Sequence, residues 1–175
     1  MKKAIILDRD GVINYDSYNY IKSPEEFNFI PHSIDAIVKL SIQGYTIGVA
    51  TNQSGIARGF YDEEMLGKIH QKLIDKVRQK GGEIAAIVFC PHHPNEKCLC
   101  RKPNPGLLHK LATQLNIKLK GVPFIGDRFS DIQAANAVGA RAILIKSQMT
   151  EPFLLTHSKA VPTFNSLKEA VDWLL

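Results

Sequence analysis

Met1-Lys2-Lys3-Ala4-Ile5-Ile6-Leu7-Asp8-Arg9-Asp10-Gly11 carries a short apolar run that stops abruptly at an acidic turn. Two lysines ahead of apolar residues resemble a secretory leader, but Asp8, Arg9 and Asp10 end the run far too soon for one. Residues 4–7 therefore read as a buried first strand. Working outward, further β-rich runs at 46–50, 84–89, 122–125 and 142–145 alternate with segments of helical period. Residues 33–42 place Ile34, Ile37, Val38 and Leu40 at helical spacing, and residues 62–79 do the same with Met65, Ile69, Leu73, Ile74 and Val77. Helices are also predicted over 105–115 and 131–138, each opened by a proline or an aspartate suited to a first turn. Ser166 can cap a last helix ending in Trp173 and Leu174. Such alternation predicts βαβ units and a doubly wound, Rossmann-like parallel α/β sheet.

In a parallel sheet a ligand site lies at the carboxyl ends of the strands. Four polar loops fall there: Asp8-Arg9-Asp10-Gly11, Thr51-Asn52-Gln53-Ser54-Gly55, Cys90-Pro91-His92 and Gly126-Asp127-Arg128.

The chain has 175 residues, 45% hydrophobic and 22% charged, which fits one ordinary domain over residues 1–175 with a core of its own. No apolar run approaches the ~20 residues a membrane span needs. The net charge is +5, but lysines and arginines are scattered and no aromatic residues interleave with a basic run. A single-strand nucleic-acid groove is not expected. All three cysteines fall between positions 90 and 100, which suits a metal better than a secreted disulfide framework.

Asp8 and Asp10 lie two apart at a strand end, where extended geometry would turn both carboxylates to one side. Two such charges repel unless a cation sits between them, and magnesium suits an all-oxygen set completed by Asp127. Taken alone, Asp-x-Asp-Gly also fits a plain acidic turn. The Thr51 hydroxyl and the N–H groups after it can hold phosphoryl oxygens, or simply satisfy a β-turn. Lys102, between two proline-constrained stretches, can bring a compact charge to the same oxygens or sit on the surface. Cys90, His92, Cys98 and Cys100 offer four ligands within eleven residues. Four protein ligands close a tetrahedral zinc shell, so that metal would be structural, with His93 an alternative to His92.

Four stretches together resemble the motifs of the haloacid-dehalogenase phosphatase superfamily. They are Asp8-Arg9-Asp10-Gly11-Val12-Ile13-Asn14, Thr51 to Gly59, Arg101-Lys102-Pro103-x-Pro105-Gly106 and Gly126-Asp127-Arg128-x-x-Asp131. With Cys90-Pro91-His92-His93-Pro94 and Cys98-x-Cys100 the wording is similar to the D-glycero-D-manno-heptose 1,7-bisphosphate phosphatases, with histidinol-phosphate phosphatases as neighbours. The resemblance implies a single domain without a large cap, since intervals such as 14–31 leave no room for one, and a zinc loop at about 90–100. It implies catalysis by Asp8 as nucleophile and Asp10 as general acid and base, with Thr51 and Lys102 on the phosphoryl oxygens. Magnesium would be held by Asp8, Asp127 and the Asp10 carbonyl.

Asp16, Tyr20, Asn52, Gln53, Ser54, Arg101 and Arg128 match substrate contacts of that family. A distal phosphate is expected at Arg101 or Arg128, with Arg58 a further candidate. The implied reaction removes the C7 phosphate of a sugar bisphosphate and keeps the C1 phosphate, supplying nucleotide-activated heptose for lipopolysaccharide. Histidinol phosphate is the rival substrate, and a non-catalytic sugar-phosphate binder the rival class. A cytoplasmic monomer without nucleic-acid or membrane partners is expected. Phe153, Leu154 and Leu155, in the segment after Lys146, either close the core or meet a partner.

Overall fold

The computed structural model describes residues 2–157 and 160–175. Six parallel strands form one sheet: β1 (Ala4–Leu7), β2 (Thr46–Asn52), β3 (Ala86–Cys90), β4 (Pro123–Gly126), β5 (Arg141–Ile145) and β6 (Thr163–Phe164). Their order is β3-β2-β1-β4-β5-β6. The chain runs outward from β1 to β3, then returns to the other side of β1 with β4. The central strand is buried over its whole length, in register with Thr46–Val49 on one side and with Phe124 and Ile125 on the other.

Alternation along β1 divides the core. Ile5 and Leu7 join the apolar faces of α1 (Ser33–Ile42), α2 (Glu63–Gln79) and α6 (Leu167–Leu174). Ile6 points to the opposite layer, with Phe124 and the buried residues of α3 (Gly106–Leu115) and α4 (Phe129–Ala137). Burial on both faces is what a parallel sheet covered by crossover helices requires. Gly48 of β2 gives α3 its close approach: a Cβ there would lie 3.1 Å from Leu111 and Leu115.

The element ends depart from the sequence expectations for local reasons. β2 continues to Asn52 because Thr51 and Asn52 still pair with Phe89 and Cys90. Asp62 stands outside α2 as its N-cap, accepting from Met65 N. α4 begins two residues before Asp131, which accepts from the N–H groups of Asp127 and Arg128 at 3.1 Å. β6 and a short helix, α5 (Pro152–His157), were not predicted. Of the apolar residues in that segment, Leu154 is buried with Ile132 and Leu144, whereas Phe153 and Leu155 remain about half exposed.

Leu111→Ala would empty a fully buried site between α3 and the sheet. It is expected to cost about 2–5 kcal/mol, measured as a lower urea midpoint at unchanged slope.

Candidate active site and metal centres

Strand order reverses between β1 and β4, and a crevice opens beyond their carboxyl ends as such a switch point demands. The cleft there has a volume of about 580 Å³, ample for a small phosphorylated metabolite. Asp8 follows β1, Asp127 follows β4, and Lys102 arrives on the loop before α3. β1 ends at Leu7 and a turn follows at residues 11–13, so Asp8 and Asp10 lie beyond the strand, yet both line the cleft. Gly11, at φ +82°, makes that turn, and a Cβ on it would overlap the Asp127 carboxylate.

Carboxylate oxygens of Asp8, Asp127 and Asp131 lie within 4.8 Å of one another, all three residues buried. Lys102, 3% exposed, is their counter-charge. Its Nζ is 2.9 Å from Asp8 Oδ1, 2.7 Å from Asp131 Oδ1 and 2.9 Å from the Ala50 carbonyl. The Asp131 oxygen lies off the line of a hydrogen bond, so that contact is ionic. Burial, then the Asp131 charge, raise Asp8 to about 7 against the opposing pull of Lys102. Burial and the Asp8 charge push Asp127 well above the carboxylate range. Ser147 Oγ donates to Asp127 Oδ2 at 2.5 Å, while Asp127 Oδ1 is buried without a hydrogen-bond partner among the described residues. An orphaned carboxylate oxygen among crowded carboxylates suits a hard divalent cation.

The loop after β2 faces inward. Thr51 is fully buried and its Oγ1 accepts from Gln53 Nε2 at 2.8 Å. Asn52, expected as a substrate contact, brackets the Lys102 backbone, donating to its carbonyl at 3.1 Å and accepting from its N–H at 3.0 Å. Gln53, expected in the same role, donates to Asp10 Oδ2 at 2.9 Å. Asn52, Gln53 and Ser54 all still line the cleft, as do Asp10, Asp16, Tyr20, Arg101 and Arg128. Burial and the nearby Asp10 charge raise Asp16 to about 6. Arg128 pairs loosely with Glu151 at 3.4 Å, and Arg101 Nη1 is buried without a hydrogen-bond partner among the described residues. Arg58 packs its guanidinium on the Tyr20 ring.

Cys90, His92, Cys98 and Cys100 converge at the end of β3. His92 Nδ1 lies 3.3 Å from Cys90 Sγ and 3.2 Å from Cys100 Sγ, and the sulfurs are 3.1–3.7 Å apart. Those separations are far beyond a disulfide bond, and three thiols with one imidazole form a donor set suited to zinc. Burial would raise Cys98, but hydrogen bonds, led by that from Arg101 N, bring it down to about 7. His93 points elsewhere: its Nδ1 accepts from Asn95 N and caps a 3-10 turn at Pro94–Glu96.

Sequence reasoning left Arg9, Asn14, Tyr61, His70 and Ser147 without roles, and named Asp131 only as a helix opener and as part of a motif. One signal was available. His70 interrupts the buried stripe of α2 formed by Leu66, Ile69, Leu73 and Val77, where a polar ring needs a partner.

A HAD-hydrolase-like family model matches residues 99–170. A D-glycero-β-D-manno-heptose-1,7-bisphosphate 7-phosphatase of Pseudomonas putida is 52% identical over 160 residues, covering 91% of this chain and 90% of that protein. Its namesake in Neisseria meningitidis serogroup B is 41% identical, covering 91% and 86%. Among solved structures, the D,D-heptose 1,7-bisphosphate phosphatase of B. bronchiseptica, complexed with magnesium and phosphate, superposes with a TM-score of 0.92 at 39% identity, covering 98% and 97%. That of Burkholderia thailandensis gives 0.74 at 32% identity, covering 99% of both chains.

Lys102→Met would strand two buried carboxylates. In metal-free buffer it is expected to cost about 3–5 kcal/mol of stability, measured by denaturant unfolding.

Proposed function

The chain belongs to the D-glycero-β-D-manno-heptose-1,7-bisphosphate 7-phosphatase family, and from that membership we propose that it removes the C7 phosphate of that heptose bisphosphate, leaving the 1-phosphate. The relatives are named for the β anomer, which we take as the substrate here. The observation that carries the reading is the meeting of Asp8, Asp10, Lys102 and Asp127 in one cleft at the β1–β4 switch point.

Asp8 is the nucleophile. Its carboxylate bonds to phosphorus while the bond from phosphorus to the sugar oxygen breaks, and Asp10 gives that oxygen a proton. Water then displaces Asp8 from phosphorus and yields its proton to Asp10, releasing inorganic phosphate. The backbone N–H groups after Thr51 would border the phosphoryl oxygens, and the Lys102 ammonium offsets their charge; the Thr51 hydroxyl, buried behind the cleft lining, would act there through its contact with Gln53. Asp8, Asp127 and the Asp10 carbonyl would hold magnesium, which offsets the repulsion between nucleophile and phosphate. The unpaired Asp127 oxygen supports that assignment.

Arg101 and Arg128 receive the C1 phosphate, and Asp16, Tyr20 and Ser54 border the sugar. The buried, unpartnered Arg101 Nη1 supports an anionic ligand at the rim. Cys90, His92, Cys98 and Cys100 would hold a structural zinc with four protein ligands. It would act by placing Arg101 and Lys102, which follow Cys100 directly.

Phosphate release should require magnesium and favour the β-heptose bisphosphate over the α anomer and histidinol phosphate; equal or greater release from histidinol phosphate would refute the substrate. Asp8→Asn should lower turnover by on the order of 10³-fold or more. Zinc removal, verified by metal analysis, should lower kcat in excess magnesium, and full activity in zinc-free protein would refute the positioning role.

A further inference from the structure

The Asp10 carboxylate is held unevenly. Its Oδ1 accepts from Arg9 Nε at 3.0 Å, Arg9 Nη2 at 2.6 Å and Asn14 Nδ2 at 2.8 Å. Among the described residues its Oδ2 accepts only from Gln53 Nε2, at 2.9 Å. A carboxylate oxygen has about two lone-pair sites, so Oδ1 is saturated and Oδ2 keeps one free. The side chain is 19% exposed and lines the cleft.

The Arg9 and Gln53 donors are each held in turn by a residue that does not line the cleft. Arg9 is fully buried, with its guanidinium 5.2 Å from the Phe27 ring centre. Its Nη1 lies 3.1 Å from Nε2 of His70 on α2. A guanidinium can only donate, so Nε2 accepts and His70 is the neutral tautomer with its proton on Nδ1. Burial, reinforced by the Arg9 charge, holds His70 down at about 3, so that acceptor persists at neutral pH. On the other side the Tyr61 hydroxyl donates to Gln53 Oε1 at 2.5 Å. With Oε1 committed to Tyr61, the amide must turn Nε2 toward Asp10 and Thr51. Residue 55 has to be glycine for this contact, since a Cβ there would overlap the Tyr61 ring.

We propose that His70 and Tyr61 are positioning residues for the phosphatase reaction, acting through Arg9 and Gln53 to hold the Asp10 carboxylate with Oδ2 toward the ester oxygen. The inference rests on the proton-transfer role of Asp10 proposed above. In the first displacement the proton on Oδ2 passes to the ester oxygen as its bond to phosphorus breaks and Asp8 bonds to phosphorus. In the second, Oδ2 takes a proton from the water that displaces Asp8. Rotation of the carboxylate would offer the saturated oxygen instead and slow both steps without altering the contacts that bind the sugar.

The test compares kcat and KM for phosphate release from the β-heptose bisphosphate in wild type, His70→Leu, His70→Gln and Tyr61→Phe, with melting temperature and zinc content measured for each. His70→Leu should lower kcat about tenfold or more with KM within about twofold, the scale expected for a misplaced reacting group. His70→Gln, whose amide oxygen can accept from Arg9, should recover most of that loss. Tyr61→Phe frees the Gln53 amide to turn and should lower kcat several-fold; being nearly isosteric, it serves if His70→Leu fails to fold. Folded variants with wild-type kcat, a loss carried by KM, or a folded His70→Gln as slow as His70→Leu would overturn the inference. An active wild type with unaffected variants removes this inference alone, whereas a wild type silent on the substrate removes the reaction on which it rests.

Discussion

Among the described residues, three carboxylates, those of Asp8, Asp127 and Asp131, share one buried end of the sheet with one ammonium, that of Lys102. Full ionisation would leave two negative charges over, three against one, in surroundings that solvate them poorly. Burial and mutual repulsion push Asp8 and Asp127 toward protonation, and a divalent cation held between them would oppose that shift. The sheet order creates this constraint, because only adjacency of β1 and β4 brings their two following loops together. A less crowded arrangement would be more stable without metal and less able to use one.

Lys102 can hold that position because its loop is fastened from several sides. Asn52, at the end of β2, occupies both backbone polar groups of Lys102. The cysteine–histidine cluster grips the chain two residues earlier and ties it to the end of β3. Gly106 then lets α3 start directly against Leu99 and Cys100, where any side chain would collide with backbone. The cluster thus lies outside the cleft while fixing a residue inside it, and a metal there acts through geometry.

Much of this arrangement could be read from residues alone. The alternation of apolar strands with helical periods predicted the parallel sheet; Asp8 and Asp127 stood out as polar residues just past strand ends, and Lys102 as a cation between two proline-constrained stretches. Asn52 and Gln53 were placed correctly at the mouth of the sheet, but the partners of their amides depend on tertiary approach from residues 102 and 61. β6 escaped notice because two residues carry no period. Arg9 was named only within the first motif; nothing local says that its guanidinium is buried against a phenylalanine ring and a histidine from another helix.

On the proposed reading, the same charge distribution explains how a substrate with two phosphates would be oriented. Carboxylates crowd the floor of the cleft, whereas Arg101 and Arg128 stand at its border. The floor accepts a phosphate only where a cation balances it, but the rim attracts one outright. Arg128 is engaged merely by a partly exposed pair with Glu151, an interaction of small net strength that a phosphate dianion can displace. Arg101 has a buried nitrogen with nothing to donate to. The phosphate that is kept would therefore supply the binding energy that carries the other one to Asp8, which is how contacts remote from the reacting bond raise turnover. A monophosphate leaves that rim contact unmade, so it should be handicapped in orientation more than in chemistry.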